Sequence, residues 1–289
     1  MFKFIKITAA AICCSLLLCG CENSDTPSEL TVTEISVSEN NAFPAVSCGE
    51  QLDKAVEKVV SLSPASTEII CELGFKDRLA AVSDYCVYPE NLNLPKVGST
   101  ENPDLEKIKE LAPDAVFATS LLSGRDKYTL NHSGIKVLVC DVPRNLEEYS
   151  TMYKEFASAF YGNEKSGSEK DESKAVEIGK NARLSLEKAA GNTNYGSFVY
   201  VTRKLTFAGN NTFENAVLSL CGNNLCSDEG YVEAYSVGSP NCIIADNALS
   251  DKDLAAVGVI SEMIDAGAKV IFIDAQRFEK PTARTAEIF

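Results

Sequence analysis

Short apolar runs recur along the chain from about residue 55 onward, among them VVSL (59–62), LAAV (79–82), AVFA (115–118), VLVC (137–140), FVYV (198–201), CIIA (242–245) and VIFI (270–273). Most are followed by a polar loop and then by a segment whose apolar residues return every three or four positions. An unbroken apolar run of this length reads as a strand buried on both faces, which requires a parallel sheet covered by helices. The pattern predicts an α/β protein of two Rossmann-like lobes with parallel sheets, the arrangement also expected when a chain of 289 residues outgrows a single core.

The pattern is written twice, which is stronger evidence than propensity at one position. APDAVFATS and SGIKVLVCDV in the first half correspond to SPNCIIADN and AGAKVIFIDA in the second, with Pro113 and Pro240 127 residues apart and Gly134 and Gly267 133 apart. Each half also opens alike, with VEKVVSLSPASTEIICELG and YGSFVYVTRKLTFAGNNTFENAVLSLCG. Both read as strand, polar loop and helix, the helix closed at C′ by Gly74 or Gly222. Between the halves Leu146, Tyr149, Met152, Tyr153, Phe156 and Phe160 recur at helical spacing, as do Ile178, Leu184 and Leu186. Residues 145–190 are therefore expected to be long helices joining a lobe over 51–144 to a lobe over 191–289, with the aromatic stripe in the core.

The start of the chain changes the picture from fold to location. Residues 1–20, MFKFIKITAAAICCSLLLCG, place Lys3 and Lys6 before an apolar run too short to span a bilayer comfortably, the form of an export signal. The end of this run, Leu18-Cys19-Gly20-Cys21, resembles the bacterial lipobox. That resemblance implies lipidation at Cys21 and an extracytoplasmic protein held at the cell membrane by acyl chains. Cys19 does not fit, because Leu18 would then occupy the position of the small residue. Residues 21–50 are rich in Ser, Thr, Glu and Asn and are expected to form a flexible tether. The formal charge of −14 becomes −16 once residues 1–20, with two lysines and no acid, are removed. Phosphate repels so acidic a chain, so nucleic acid is not expected as a partner.

The inventory of reactive side chains is narrow. Beyond Cys21 seven cysteines remain (Cys48, Cys71, Cys86, Cys140, Cys221, Cys226 and Cys242), an odd number with no CxxC, so a complete disulfide framework is excluded. Several lie in apolar segments, as in VLVCDV and EIICELG, where a thiol packs as a small hydrophobe, while the spacing of Cys221 and Cys226 would allow a bridge around GNNL. A lone His132 leaves no histidine pair for a zinc site or a His-dependent triad. GxGxxG, the P-loop and GxSxG are also absent, so no catalytic residue, metal ligand set or resident cofactor is expected.

A denser signal lies between residues 59 and 118. It comprises Ser61 to Pro64 with Thr67, Glu68 and Gly74, then Asp84, Tyr85, Tyr88 and Pro89, then Pro95 to Gly98, and then NPDLEKI. This stretch resembles the substrate-binding proteins of cobalamin and ferric-siderophore ABC importers, the class III periplasmic binding proteins. TFAGNNTFENAVLSLCGNN and RFEKPTAR resemble later parts of the family, so the likeness runs from about residue 55 to 289, where the family usually continues into a last helix. The resemblance implies two lobes joined by a rigid interdomain helix, a metal chelate (ferric siderophore or corrinoid) in the cleft between them, and delivery by a monomer to a permease dimer with its ATPase. The family's cobalamin-binding members often carry a tryptophan where this chain has Thr100.

Ligands in open α/β sheets sit beyond the carboxyl ends of the strands, which selects the loops Ser61 to Ser66, Ser83 to Tyr88 and Arg203 to Phe207. Ser63 and Ser66 suit a ligand oxygen at a helix N-terminus or, equally, plain N-capping. Tyr85, on the family's cleft tyrosine, and Tyr200 offer aromatic faces for a macrocycle or catecholate, or core packing. Arg125 and Arg203 follow strands and could meet an acidic chelate or form surface ion pairs. The resemblance further implies that Glu106 and Glu233, one on each lobe, dock into arginine pockets of the permease, where a plain reading pairs Glu106 with Lys109. Two other function classes remain beside import. One is a sensor or adhesion lipoprotein that keeps the binding fold, and the other a surface enzyme built on a Rossmann-like lobe.

Overall fold

The computed structural model describes residues 42–167 and 172–289. Cys21, the export signal and most of the expected tether lie outside them. The last residues assigned to the tether are folded: β1 (Ala45–Ser47) and β2 (Glu50–Leu52) form an antiparallel hairpin turned by Cys48 and Gly49 at φ 46° and 76°. Alternation buries Ala45, Ser47 and Leu52, and the Ser47 hydroxyl donates to the Glu155 carbonyl at 2.8 Å. A disulfide joins Cys48 to Cys140 with Cα atoms 5.6 Å apart. This corrects the reading of Cys140 as a core thiol and of Cys48 as part of a flexible tether, because an odd count excludes a full framework but not one bridge. Cys221 and Cys226 are free and buried, and burial pushes both thiols above their ordinary pKa.

The first lobe follows as β3 (Val59–Ser61), α1 (Pro64–Glu72), β4 (Leu79–Val82), α2 (Leu105–Leu111), β5 (Ala115–Ala118), α3 (Gly124–His132) and β6 (Lys136–Val139). Its four strands are parallel in the order β4-β3-β5-β6. Then come α4 (Leu146–Tyr161) and α5 (Lys174–Ala190), an antiparallel pair so close that a Cβ on Gly179 would lie 2.4 Å from the Ser150 carbonyl oxygen. At 17 residues α5 spans about 25 Å and leads directly into the second lobe. The stripe on α4 is core: Phe156 stacks on Phe117 at 4.8 Å between centroids, and Tyr149 lies 5.6 Å from Phe213 of the second lobe. One hydrophobic cluster therefore runs through both lobes. Leu184 is exposed while Leu186 is buried, since residues two apart on a helix cannot share a face.

The second lobe comprises β7 (Gly196–Val201), β8 (Thr206–Ala208), α6 (Phe213–Leu218), β9 (Gly222–Asn224), β10 (Tyr231–Glu233), β11 (Cys242–Asp246), α7 (Asp251–Ala255), α8 (Gly258–Asp265), β12 (Lys269–Ile273) and α9 (Ala275–Phe278), ending in a 3-10 turn over Ala283–Ile288. The repeat is realised as topology. β9, β7, β11 and β12 pair in parallel in the sense of β4, β3, β5 and β6, and the antiparallel strands β8 and β10 are added at one side. Gly74 follows α1 at φ 86°, as the C′ position requires. Gly222 does not close a helix. It opens β9, where a Cβ would lie 2.4 Å from the Gly196 carbonyl oxygen, so close strand approach is what demands glycine there.

Candidate functional site

The loop after β3 is fixed by hydroxyls. Ser63 caps α1, accepting from the Ser66 amide at 3.1 Å, and its Oγ lies 2.7 Å from the Ser66 Oγ. Thr67 Oγ1 donates to Ser61 Oγ and to the Ser63 carbonyl. Ser63 is thus the N-cap of α1, and Ser66, whose amide it caps, is buried.

The loop after β4 presents Tyr85, 68% exposed, beside an equally exposed Val87. Its backbone is locked from below. The Asp84 amide donates to the Gly98 carbonyl at 2.8 Å, and the Gly98 amide donates to Asp84 Oδ1 at 3.0 Å. Gly98 has φ 83°, and a Cβ there would lie 2.2 Å from the Asn102 carbonyl oxygen, so the Asp-Tyr and Pro-x-Val-Gly segments brace one another. Thr100 is buried and donates to the Leu62 carbonyl at 3.0 Å, tying this loop to the one after β3.

The segment following β12 and α9 crosses to the first lobe. The Arg284 guanidinium lies 3.9 Å from the Tyr88 ring centroid and 3.5 Å from Glu68 on α1. Glu68, 1% exposed, also has Lys280 at 3.6 Å and accepts from Thr282 Oγ1 at 3.2 Å. One turn along α1, Glu72 accepts from the Ala283 amide and the Tyr153 hydroxyl, and burial nevertheless holds its carboxyl above the usual range. The chain leaving the carboxyl end of β12 thus lands on the helix that follows β3 and the loop that follows β4.

On the second lobe a recess of about 430 Å³ opens at the turn after β7, between Arg203, Lys204, Glu214, Tyr231 and Glu279. Arg203 Nε lies 3.1 Å from Oδ2 of buried Asp246. Glu214, 4% exposed, accepts from the Tyr231 hydroxyl, and desolvation pushes its carboxyl up to about 7. Glu279 is also raised by desolvation, and its Oε1 accepts from the Tyr200 hydroxyl at 2.9 Å. A larger recess of about 970 Å³ lies along β6 and α4, lined by Leu121, Val142 and Met152 among others.

Of the residues singled out from sequence, the structure puts Tyr85 on an exposed loop and Arg203 on the recess. Tyr200 is a correction: it is fully buried, edge-on to Phe278 at 5.3 Å, because the central strand β7 is covered on both faces. Arg125 is exposed on the first turn of α3 and shares neither recess. Glu106 is exposed in the first turn of α2 with Lys109 as its ion partner, and Glu233 is exposed at the end of β10. Sequence reasoning missed Glu214, Tyr231 and Glu279, which come together in the recess from segments far apart in the chain, and Arg284, which meets Tyr88 and Glu68 of the first lobe. Glu214 lies two residues after the N-cap Thr212 and reads as ordinary helix-start chemistry, and Glu279 and Arg284 lie in RFEKPTAR, where the resemblance marks the segment without giving either residue a role. Among the described residues no group of three or more His, Cys, Asp or Glu could hold a metal ion, and no helix is long and apolar enough to cross a membrane.

Residues 59–178 match the periplasmic binding protein family. The chain is 26% identical over 269 residues to YvrC of Bacillus subtilis (strain 168), an uncharacterized ABC transporter substrate-binding lipoprotein, covering 87% of this chain and 83% of that one. Its fold is similar to that of the periplasmic vitamin B12 binding protein BtuF of Vibrio cholerae, with TM-score 0.60, 22% identity and coverage of 81% and 93%. The periplasmic heme binding protein HutB of Vibrio cholerae gives TM-score 0.64, 18% identity and coverage of 79% and 95%.

Proposed function

We propose that the chain is the extracytoplasmic solute-binding lipoprotein of an ABC importer, a reading supported by the match of residues 59–178 to the periplasmic binding protein family and by a fold similar to that of solved binding proteins. It captures a metal chelate at the junction between the lobes and hands it to a permease. What supports this reading is that the exposed Tyr85 loop and the turn bearing Arg203 and the polar recess follow the carboxyl ends of parallel strands, one in each sheet, and that the segment from Glu279 on the recess wall to Arg284 reaches Tyr88 of the Tyr85 loop. Cys21 is the anchor in this reading, consistent with the lipoprotein named among the relatives.

Cyanocobalamin, hemin and ferric siderophores of the hydroxamate and catecholate types are the compounds to test by thermal shift and calorimetry. A ligand at a hundredfold excess over its Kd stabilises the folded protein by about 2.7 kcal/mol. Tyr85→Ala removes an aromatic face worth on the order of 1 kcal/mol, so affinity for the bound compound is expected to fall several-fold with Tm unchanged. If none of the compounds binds, chelate capture is wrong. Detergent partitioning of Cys21→Ser tests the anchor, which requires the variant to move to the aqueous phase.

A further inference from the structure

Resting on the proposed chelate cleft, we infer that the second-lobe recess selects chelates whose periphery carries carboxamides over those that carry carboxylates, with Glu279 as the specificity-determining residue. The recess has its own volume, about 430 Å³, and its wall at Glu279 is continuous with Lys280, whose ammonium reaches Glu68 of the first lobe. It therefore opens beside the lobe junction, where an arm projecting from a bound ligand would enter.

A census of donors and acceptors decides what that arm must be. The Tyr231 hydroxyl is committed to Glu214, the Tyr200 hydroxyl to Glu279 Oε1, and Arg203 Nε to Asp246. The hydroxyls of Thr202 and Thr206 bond to each other at 2.7 Å. Each carboxylate can accept about four hydrogen bonds, so Glu279 retains acceptor capacity that no donor among the described residues fills. The spare donors are the Lys204 ammonium and the outer guanidinium nitrogens of Arg203, and both residues stand exposed at the rim. The recess thus offers surplus acceptors within and surplus donors at its mouth. A primary carboxamide matches both, donating N–H to Glu279 and accepting from the rim. A carboxylate matches only the rim and brings a further negative charge beside Glu279 and Glu214, in a setting where burial already raises both carboxyls. Three carboxylates stand here (Glu214, Asp246 and Glu279) against two cations, so the local balance also opposes an anionic arm.

Calorimetry at pH 7.5 with cyanocobalamin, its three monocarboxylic acids (one propionamide hydrolysed in each) and hemin, which bears two propionates, tests this. The wild type is expected to bind cyanocobalamin about tenfold or more tightly than hemin and than at least one of the monocarboxylic acids, the loss that goes with an unpaired or repelled polar group. Glu279→Gln keeps an acceptor for Tyr200 and adds an N–H donor. It should close that gap to within about threefold by gaining affinity for the acid, with cyanocobalamin little changed. The inference is overturned if all three acids bind the wild type as tightly as the parent, or if Glu279→Gln shifts every ligand equally. The wild-type comparison decides the matter even if the variant folds poorly. Binding of hemin or a ferric siderophore without cyanocobalamin would overturn the carboxamide preference and leave chelate capture standing, whereas binding of none of the compounds would overturn chelate capture itself.

Discussion

Glu214 shows how burial turns one carboxyl into a pH-dependent element of stability. Its pKa rises from an ordinary 4.5 to about 7 because the side chain is almost fully desolvated, and the Tyr231 hydrogen bond only partly offsets that. The folded state therefore holds the proton more tightly than the unfolded one. Stability falls as pH rises from about 4.5 through 7, and the full cost, on the order of 3 kcal/mol, stands above pH 7. Glu214→Gln keeps an oxygen for the tyrosine and removes the charge. Urea unfolding should find the variant more stable at pH 8 by up to about 3 kcal/mol and nearly equal to the wild type at pH 4.5. A gain independent of pH would mean that ionisation is not its source.

At the scale of elements, the β1–β2 hairpin is too short to hold itself to the lobe. Six paired residues bury little surface, and the bridge from Cys48 to Cys140 at the end of β6 fixes the hairpin across 92 positions of sequence. Closing a loop of that length restricts the unfolded chain by about 4–5 kcal/mol in the chain-entropy account. The double variant Cys48→Ser, Cys140→Ser is expected to lose several kcal/mol in chemical denaturation, and a reductant should lower the Tm of the wild type but not of the variant. Equal sensitivity of both to reductant would place the effect elsewhere.

For the whole molecule, the import reading turns on Glu106 and Glu233, exposed on different lobes and free to meet a partner together only when the lobes hold a fixed relation. The junction of Glu68 with Lys280, Thr282 and Arg284, together with the core shared through α4, supplies that relation. Removing one member of a desolvated interfacial ion pair costs about 2–5 kcal/mol. The Glu106→Lys, Glu233→Lys variant should bind its ligand normally while failing to stimulate ATP hydrolysis by the reconstituted transporter. Full stimulation would overturn the docking role of these two glutamates.

Local pattern was enough to read the two-lobe architecture, because a strand buried on both faces must be apolar throughout and the chain writes that pattern twice. The aromatic stripe of α4 and the Gly74 stop were legible for the same reason: helical period and C′ geometry are properties of neighbours in sequence. Tyr200 could not be placed from sequence, since a tyrosine at a strand end reads alike whether the next layer covers it or leaves it open, and here Phe278 from the chain's last turns covers it. The same limit hid the Cys48–Cys140 bridge and the Glu214–Tyr231–Glu279 recess. Their members are separated by 92 positions in the first case and spread from 214 to 279 in the second, and no periodicity links them. Sequence determined which faces had to be buried; the packing of one lobe's last segment against the other lobe's first helix decided which polar groups meet, because burial and charge pairing depend on distance in space.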